Sequence, residues 1–162
     1  MRTAKFAILF TVAAAFVVGW LIVNQDKRPD ADQIRDLIER GRRAIEHKSL
    51  DAAMSCISEN FSNNMGLNRD RLRMLAADAF RANMSYEVVM DAPDVTVNGD
   101  QAQAKTHVAV SGISGGGREP VFSGEVALRL AKERVHRYLI FPTREWKITG
   151  IDGLGRIMDF GP

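Results

Sequence analysis

The polarity of the chain changes character twice. Residues 6–23 form an apolar run without charge, residues 30 to about 82 carry apolar positions at helical spacing, and beyond Asn83 the period falls to two. In the helical part Ile34, Leu37, Ile38, Gly41, Ala44 and Ile45 make one stripe, the signature of a helix that packs by one side. Asp30 stands as its N-cap with Gln33 three residues on, a variant of capping-box spacing. Arg35 with Glu39, Glu39 with Arg43 and Arg42 with Glu46 are placed to pair on the solvent side. A second helix is predicted from Ser49, with Leu50, Ala53, Met54 and Ile57 inward. A third runs over residues 69–82 with Leu72, Leu75, Ala76 and Phe80 inward, and the polar stretch 58–68 between them reads as a loop around Phe61.

In the second half Tyr86, Val88 and Met90 alternate in a first strand. Val95 and Val97 lead into Asn98-Gly99, a tight-turn signal, after which Ala102, Ala104, Thr106, Val108 and Val110 alternate as the partner strand. Gly115-Gly116-Gly117 makes the next turn, Phe122, Gly124, Val126, Leu128 and Leu130 alternate with polar neighbours, and Trp146 and Ile148 mark a last strand. Helices followed by a meander of antiparallel strands imply an α+β domain, its sheet covered by helices on one face and wetter on the other.

The apolar run is eighteen residues long, and as a helix it reaches about 27 Å, close to one hydrocarbon core. Arg2 and Lys5 precede it, Trp20 suits an interfacial position, and residues 24–30 return abruptly to polar chemistry. An uncleaved signal anchor is the reading. The rival is a cleaved signal peptide with Ala13-Ala14-Ala15 as its small-residue site, which would leave residues 16–23 exposed at the new terminus. Either way the domain is exported. The expected organisation is a cytoplasmic stub (1–5), a transmembrane segment (6–23), a linker (24–31), a domain (32–153) and a tail (154–162), giving a single-pass membrane protein with its domain on the extracytoplasmic side.

Beyond the apolar run about 130 residues remain, the size of one domain. A net charge of +2 from 22 basic and 20 acidic residues alternates in sign along the helices and leaves no basic face for nucleic acid. Cys56 is the one cysteine, which excludes an intrachain disulfide and a cysteine-rich zinc site. Its amphipathic setting makes it a packing residue. No cysteine stands just after the apolar run, so lipid modification there is excluded.

Together these features resemble the nuclear transport factor 2-like superfamily, the cystatin-like α+β cone that also includes polyketide cyclases (SnoaL-like proteins) and ketosteroid isomerases. The resemblance covers residues 32–153. It rests on the opening helix pair, the further helix, Val95-Thr96-Val97-Asn98-Gly99-Asp100-Gln101-Ala102 and the closing Glu145-Trp146-Lys147-Ile148. It implies about three helices packed on a curved antiparallel sheet. It implies no one activity, since this fold hosts isomerases, dehydratases, cyclases and proteins without chemistry.

Enzymes of that family place an acid or base on the inner sheet face, where burial or a charged neighbour shifts its pKa. Tyr86 and Thr106 are the polar residues that share parity with the apolar stripes, and both read first as core-lining groups with local hydroxyl partners. His107 and Glu125 fall on the opposite face. Asp91, Asp94 and Asp100 fall at strand ends and turns. His47 and His136 lack a second ligand at metal spacing, and the triple glycine lacks the Lys-Ser or Lys-Thr of a phosphate loop, so no cofactor or metal is expected.

Residues 132–144 exceed what a turn needs. Arg134, His136 and Arg137 lead into Tyr138, Leu139, Ile140 and Phe141, which either extend the strands and bury within the domain or a dimer, or form a basic and apolar tip for a membrane or partner. The sequence-level expectation is a membrane-anchored binding or assembly domain. Its partners are the membrane through residues 6–23, a second copy through the sheet, and a protein or small apolar ligand. The alternative is a small-molecule enzyme of isomerase, dehydratase or cyclase type that uses the cone pocket.

Overall fold

The computed structural model describes residues 28–82, 84–137 and 141–153, with residues 136, 137, 141 and 142 described in backbone only. The predicted anchor (6–23) and tail (154–162) lie outside the described residues. Among the latter, no helix is long and apolar enough to cross a membrane. The order is three helices, α1 (Asp30–Glu46), α2 (Leu50–Ser55) and α3 (Arg69–Arg81), then five strands, β1 (Ser85–Met90), β2 (Asp94–Asn98), β3 (Gln101–Ser114), β4 (Gly117–Arg137) and β5 (Phe141–Asp152).

The stripe on α1 packs as its spacing requires, with Ile34, Leu37, Ile38 and Ala44 buried. Arg43–Glu39 pairs at 2.9 Å and Arg42–Glu46 at 2.7 Å; Glu46 also accepts from the Val88 N–H of β1 at 3.2 Å, so this second pair lies against the sheet and not on the solvent side expected of it. Arg35 does not reach Glu39, which Arg42 and Arg43 already hold, and pairs with Asp32 at 2.9 Å instead. The helix start also differs from expectation. Pro29 is the cap and Asp30 the first helical residue, because the Asp30 carboxylate is drawn off to two tertiary donors described below.

Ser49 caps α2, and Met54 and Cys56 are buried at its end. Ile57, expected on the helix, has left it to form a parallel bridge with Ile148. Ser58 N–H donates to the Ile148 carbonyl and Ile148 N–H to that of Cys56, each at 2.9 Å, so this segment covers an edge of β5 that would otherwise stand open. Asn68 caps α3, accepting from the Arg71 N–H at 2.9 Å. No residue of α3 is fully buried. Leu72, Ala76 and Phe80 are half-buried, while Leu75 is 47% exposed. It lies about 100° round the helix from the centre of that stripe, too far to follow it inward.

The sheet is antiparallel in the order β1-β3-β4-β5, with β2 on the same edge of β3 as β1. Met90 pairs with Val108 and Asp94 with Lys105, so β1 and β2 are one line of chain interrupted at residues 91–93. Pro93 has no N–H to give the ladder, and the irregularity adds to the curl that a bulge imposes. The β2–β3 turn closes on Gly99 and Asp100, Gly99 having φ +60°; glycine is needed there because the first loop position takes positive φ. A further register shift sits between Val110 and Ser111 on β3, and another between Arg129 and Leu130 on β4. The result is a curled half-barrel with α1 across its concave face. Ile34, Leu37 and Ile38 there join Ala102, Ala104, Val126, Leu128, Leu130, Trp146 and Ile148 in one buried cluster with Cys56, Phe61 and Leu67. The outward residues Gln101, Gln103, Lys105 and His107 are exposed, the two-faced pattern that alternation predicts.

Candidate functional site

The interior of the cone presents few polar groups, and the two hydroxyls singled out from the sequence are both committed. Thr106 is buried and its Oγ1 donates to the Asp91 carbonyl at 2.8 Å. That carbonyl lies at the break before Pro93, where the ladder offers no regular partner, so the hydroxyl satisfies a backbone group the kink sets loose. Tyr86 donates its phenol to the Ala79 carbonyl at 2.9 Å. Lys48 lies over the Tyr86 ring, 5.9 Å from its centre, and donates to the Ala82 carbonyl at 2.7 Å. Tyr86 is thus a second donor to the Ala79 carbonyl, which already accepts from the Ala82 N–H at 3.1 Å, and Lys48 gives the Ala82 carbonyl a partner past the end of α3, where a cation suits the helix dipole. Met90 and Phe122 pack against the buried cluster. Near the end of α3 an open groove of about 290 Å³ is lined by Lys48, Met84, Ser85, Ile113, Ser114 and Gly115.

A denser polar arrangement lies at the opposite end of β3 and β4. Asp30 accepts from Lys132 Nζ at 2.6 Å and from the indole Nε1 of Trp146 at 3.1 Å. Lys132 also stands over the Trp146 ring, 5.6 Å from its centre, and Trp146 is buried. The Lys132 ammonium, foremost, holds the Asp30 carboxyl below its ordinary range, aided by the indole N–H and opposed by partial burial. Beside it Lys132 N–H donates to the Asp100 carbonyl at 2.8 Å, and the Asp100 carboxylate pairs with Arg144.

Past this point β3 stops. Gln101–Ala131 is the last pair between β3 and β4, whereas β4 and β5 go on pairing from Lys132–Trp146 to Arg137–Phe141. They form a two-stranded ribbon that extends about 17 Å beyond the sheet at about 3.4 Å per residue. Its register sets Glu133 opposite Glu145 and Arg134 opposite Arg144. Ser58, buried, donates to Glu133 at 2.6 Å. Arg134 is exposed.

Neither the protein-family models nor the curated proteins give a match to this sequence. Solved structures do. A nuclear transport factor 2-like superfamily protein from Salmonella enterica aligns over 75% of this chain and 87% of its own, with TM-score 0.60 and 14% identity. The domain has the nuclear transport factor 2-like fold. A protein of unknown function with a cystatin-like fold from Nostoc punctiforme aligns over 75% of this chain and 87% of its own (TM-score 0.56, 12% identity). A proposed aromatic ring hydroxylase from Novosphingobium aromaticivorans does so over 77% and 89% (TM-score 0.59, 20% identity).

In this nuclear transport factor 2-like cone, then, Tyr86 sits at the α3 end and Thr106 under the β1–β2 break, each bound to backbone and not converging on one point. Arg134 lies on the ribbon with the backbones of His136, Arg137 and Phe141; the side chains of those three and all of Tyr138 fall outside the described residues. Sequence reading missed the Asp30–Lys132–Trp146 triad, whose members stand 102 and 116 residues apart. Among the described residues no group of His, Cys, Asp and Glu is arranged to hold a metal ion.

The triad has a pH signature. Hydrogen bonds from Arg42 and then Arg43 also hold Glu39 down from 4.5 to about 2. Both carboxyls are depressed on folding, so the stability they add is complete above their unfolded values and is lost as pH falls toward about 2. Glu39 and Asp30 are 35% and 32% exposed, so salt screens both contributions, and substitution is what separates them. Thermal melts between pH 6 and 2, as limits spanning the carboxylate range, should show a falling Tm whose slope is shallower in Asp30→Asn; an unchanged slope would mean that Asp30 is not held as described.

Proposed function

We propose that the chain is a membrane-tethered binding or assembly module, with residues 6–23 as anchor and the cone on the extracytoplasmic side. The observation that supports this reading best is the commitment of both inner-face hydroxyls to backbone carbonyls, beside an α1 stripe packed with the sheet in one buried cluster. A polar group already bound to backbone must break that bond before it can serve a substrate, and Lys48, the cation over the Tyr86 ring, is itself committed to the Ala82 carbonyl. Contact surfaces outside the cone are then the working parts, and the ribbon is the most extended of them.

A second reading, small-molecule turnover, draws support from the groove of about 290 Å³ beside Ser85 and Lys48 and from the proposed hydroxylase activity of one protein of like fold. The two part company on substitution. Under the binding reading, Tyr86→Phe and Thr106→Val in the full chain each cost about 1 kcal/mol of stability and leave its cross-linked partners in host membranes unchanged. Turnover of a small aromatic or polyketide-like compound by the purified full chain, abolished by Tyr86→Phe while the melting temperature holds, would replace binding with catalysis.

A further inference from the structure

The geometry points to the ribbon's arginine face docking on the phosphate headgroups of an anionic lipid bilayer. This rests on the tethered reading and adds to it the second point of membrane contact.

Three observations converge. First, the ribbon leaves the domain at the end where the chain enters it: Asp30, the first residue of α1, is bonded to Lys132 and Trp146, the first pair of the ribbon. Between Val23 and Asp30 lie seven residue steps, at most about 25 Å of extended chain, so an anchor ending at Val23 keeps this end of the domain within reach of the headgroups. The Gly115–Gly116 turn, at the other end of β4, is farther off by the length of the sheet.

Second, Arg134 and Arg144 are direct cross-strand partners, and like charges set opposite one another destabilise a ribbon unless an anion lies between them. Asp100 meets Arg144, which remains 50% exposed. Arg134 has no acidic partner among the described residues. A phosphate shared by two guanidinium groups is the chemistry that resolves such a pair.

Third, the surplus is local. Asp30, Asp32, Asp36 and Asp100 at this end of the domain are each held by a cation, Lys132, Arg35, Arg28 and Arg144 in turn, while on the ribbon's other face Glu145 meets Lys147 and Glu133 accepts from the Ser58 hydroxyl. From 134 to 144 the sequence then has three arginines, one histidine, the apolar run Tyr138-Leu139-Ile140-Phe141-Pro142 and no acid. Arginine beside aromatic and branched residues is the composition that enters a headgroup layer. A two-stranded ribbon standing alone is marginally stable in water, and a surface to lie on supplies what it lacks.

The test uses the full chain with Cys56→Ala, reconstituted in phosphatidylcholine vesicles with or without phosphatidylglycerol. An environment-sensitive fluorophore is placed through His136→Cys, two residues along the strand from Arg134 and so on the same side of the ladder, or through Ser114→Cys at the opposite end as control. Docking predicts a blue shift and quenching by brominated lipid at position 136 with phosphatidylglycerol present, little with phosphatidylcholine alone, and neither at position 114. Arg134→Glu should cut the docked fraction about tenfold or more, since each arginine near an anionic surface is worth roughly fivefold and reversal counts twice. Raised salt should do the same without any substitution. A chain that floats with both vesicles while its 136 probe stays aqueous overturns the docking and leaves the tether. One that floats only with anionic vesicles and shows the quenching keeps the docking and overturns the tether. Quenching unaffected by Arg134→Glu and by salt assigns the contact to apolar insertion and overturns the headgroup reading.

Discussion

Trp146→Ala should lower the unfolding free energy by about 4 kcal/mol, measured as a shift of the urea midpoint at constant slope. Trp146 is 3% exposed, so truncation opens a large cavity beside Asp30 and Lys132. It also removes the ring beneath Lys132 and the indole donor to Asp30. Trp146→Phe separates these effects: it keeps most of the apolar bulk and should cost nearer 1–2 kcal/mol, the loss of one hydrogen bond to a charged acceptor plus imperfect packing. If the alanine and phenylalanine variants cost the same, the indole donor dominates and the cavity argument fails. If alanine costs under about 1 kcal/mol, the surroundings of Trp146 are not the packed region described.

Ala104→Leu is the second large effect and bears on function as well as stability. Ala104 is fully buried on the inner face of β3, opposite Val95 on β2 and Leu128 on β4. In a filled cone the added methylenes have no room, and the cost is about 3 kcal/mol of strain and displaced side chains. In an open ligand pocket the same leucine would gain buried area and cost little. A neutral or stabilising result would therefore argue for an unfilled cavity and for the small-molecule reading.

Much of the fold was legible because alternation and helical spacing are local signals. The α1 stripe, the β3 run from Ala102 to Thr106 and the two-faced sheet follow from side-chain periodicity alone. What escaped were choices made between distant segments. Asp30 has the residue type and position of an N-cap, and only its long-range donors take it elsewhere. Ile57 continues the α2 pattern, yet the uncovered edge of β5 draws it out of the helix. Leu75 is apolar and on the shoulder of its stripe, and it stays exposed because α3 meets the domain along a narrow line.

The ribbon is an intermediate case. Its pairing could have been found in the sequence, for Glu133 and Glu145, like Arg134 and Arg144, stand at equal distances on either side of Leu139. A hairpin centred there places like charges face to face on both of its sides. That symmetry is a sequence signal for a charged ribbon, and length alone did not reveal it. For the interior, residue parity identified Tyr86 and Thr106, but the acceptors Ala79 and Asp91 were invisible because helix ends and ladder breaks are tertiary facts.

The most direct measurement on the central claim is alkaline carbonate washing of host membranes that contain either the full chain or a variant lacking residues 6–23, which strips peripheral proteins and leaves inserted ones. The account predicts the full chain in the washed membranes and the shortened chain in the supernatant, folded and melting at the same temperature. Release of the full chain into the supernatant would contradict it.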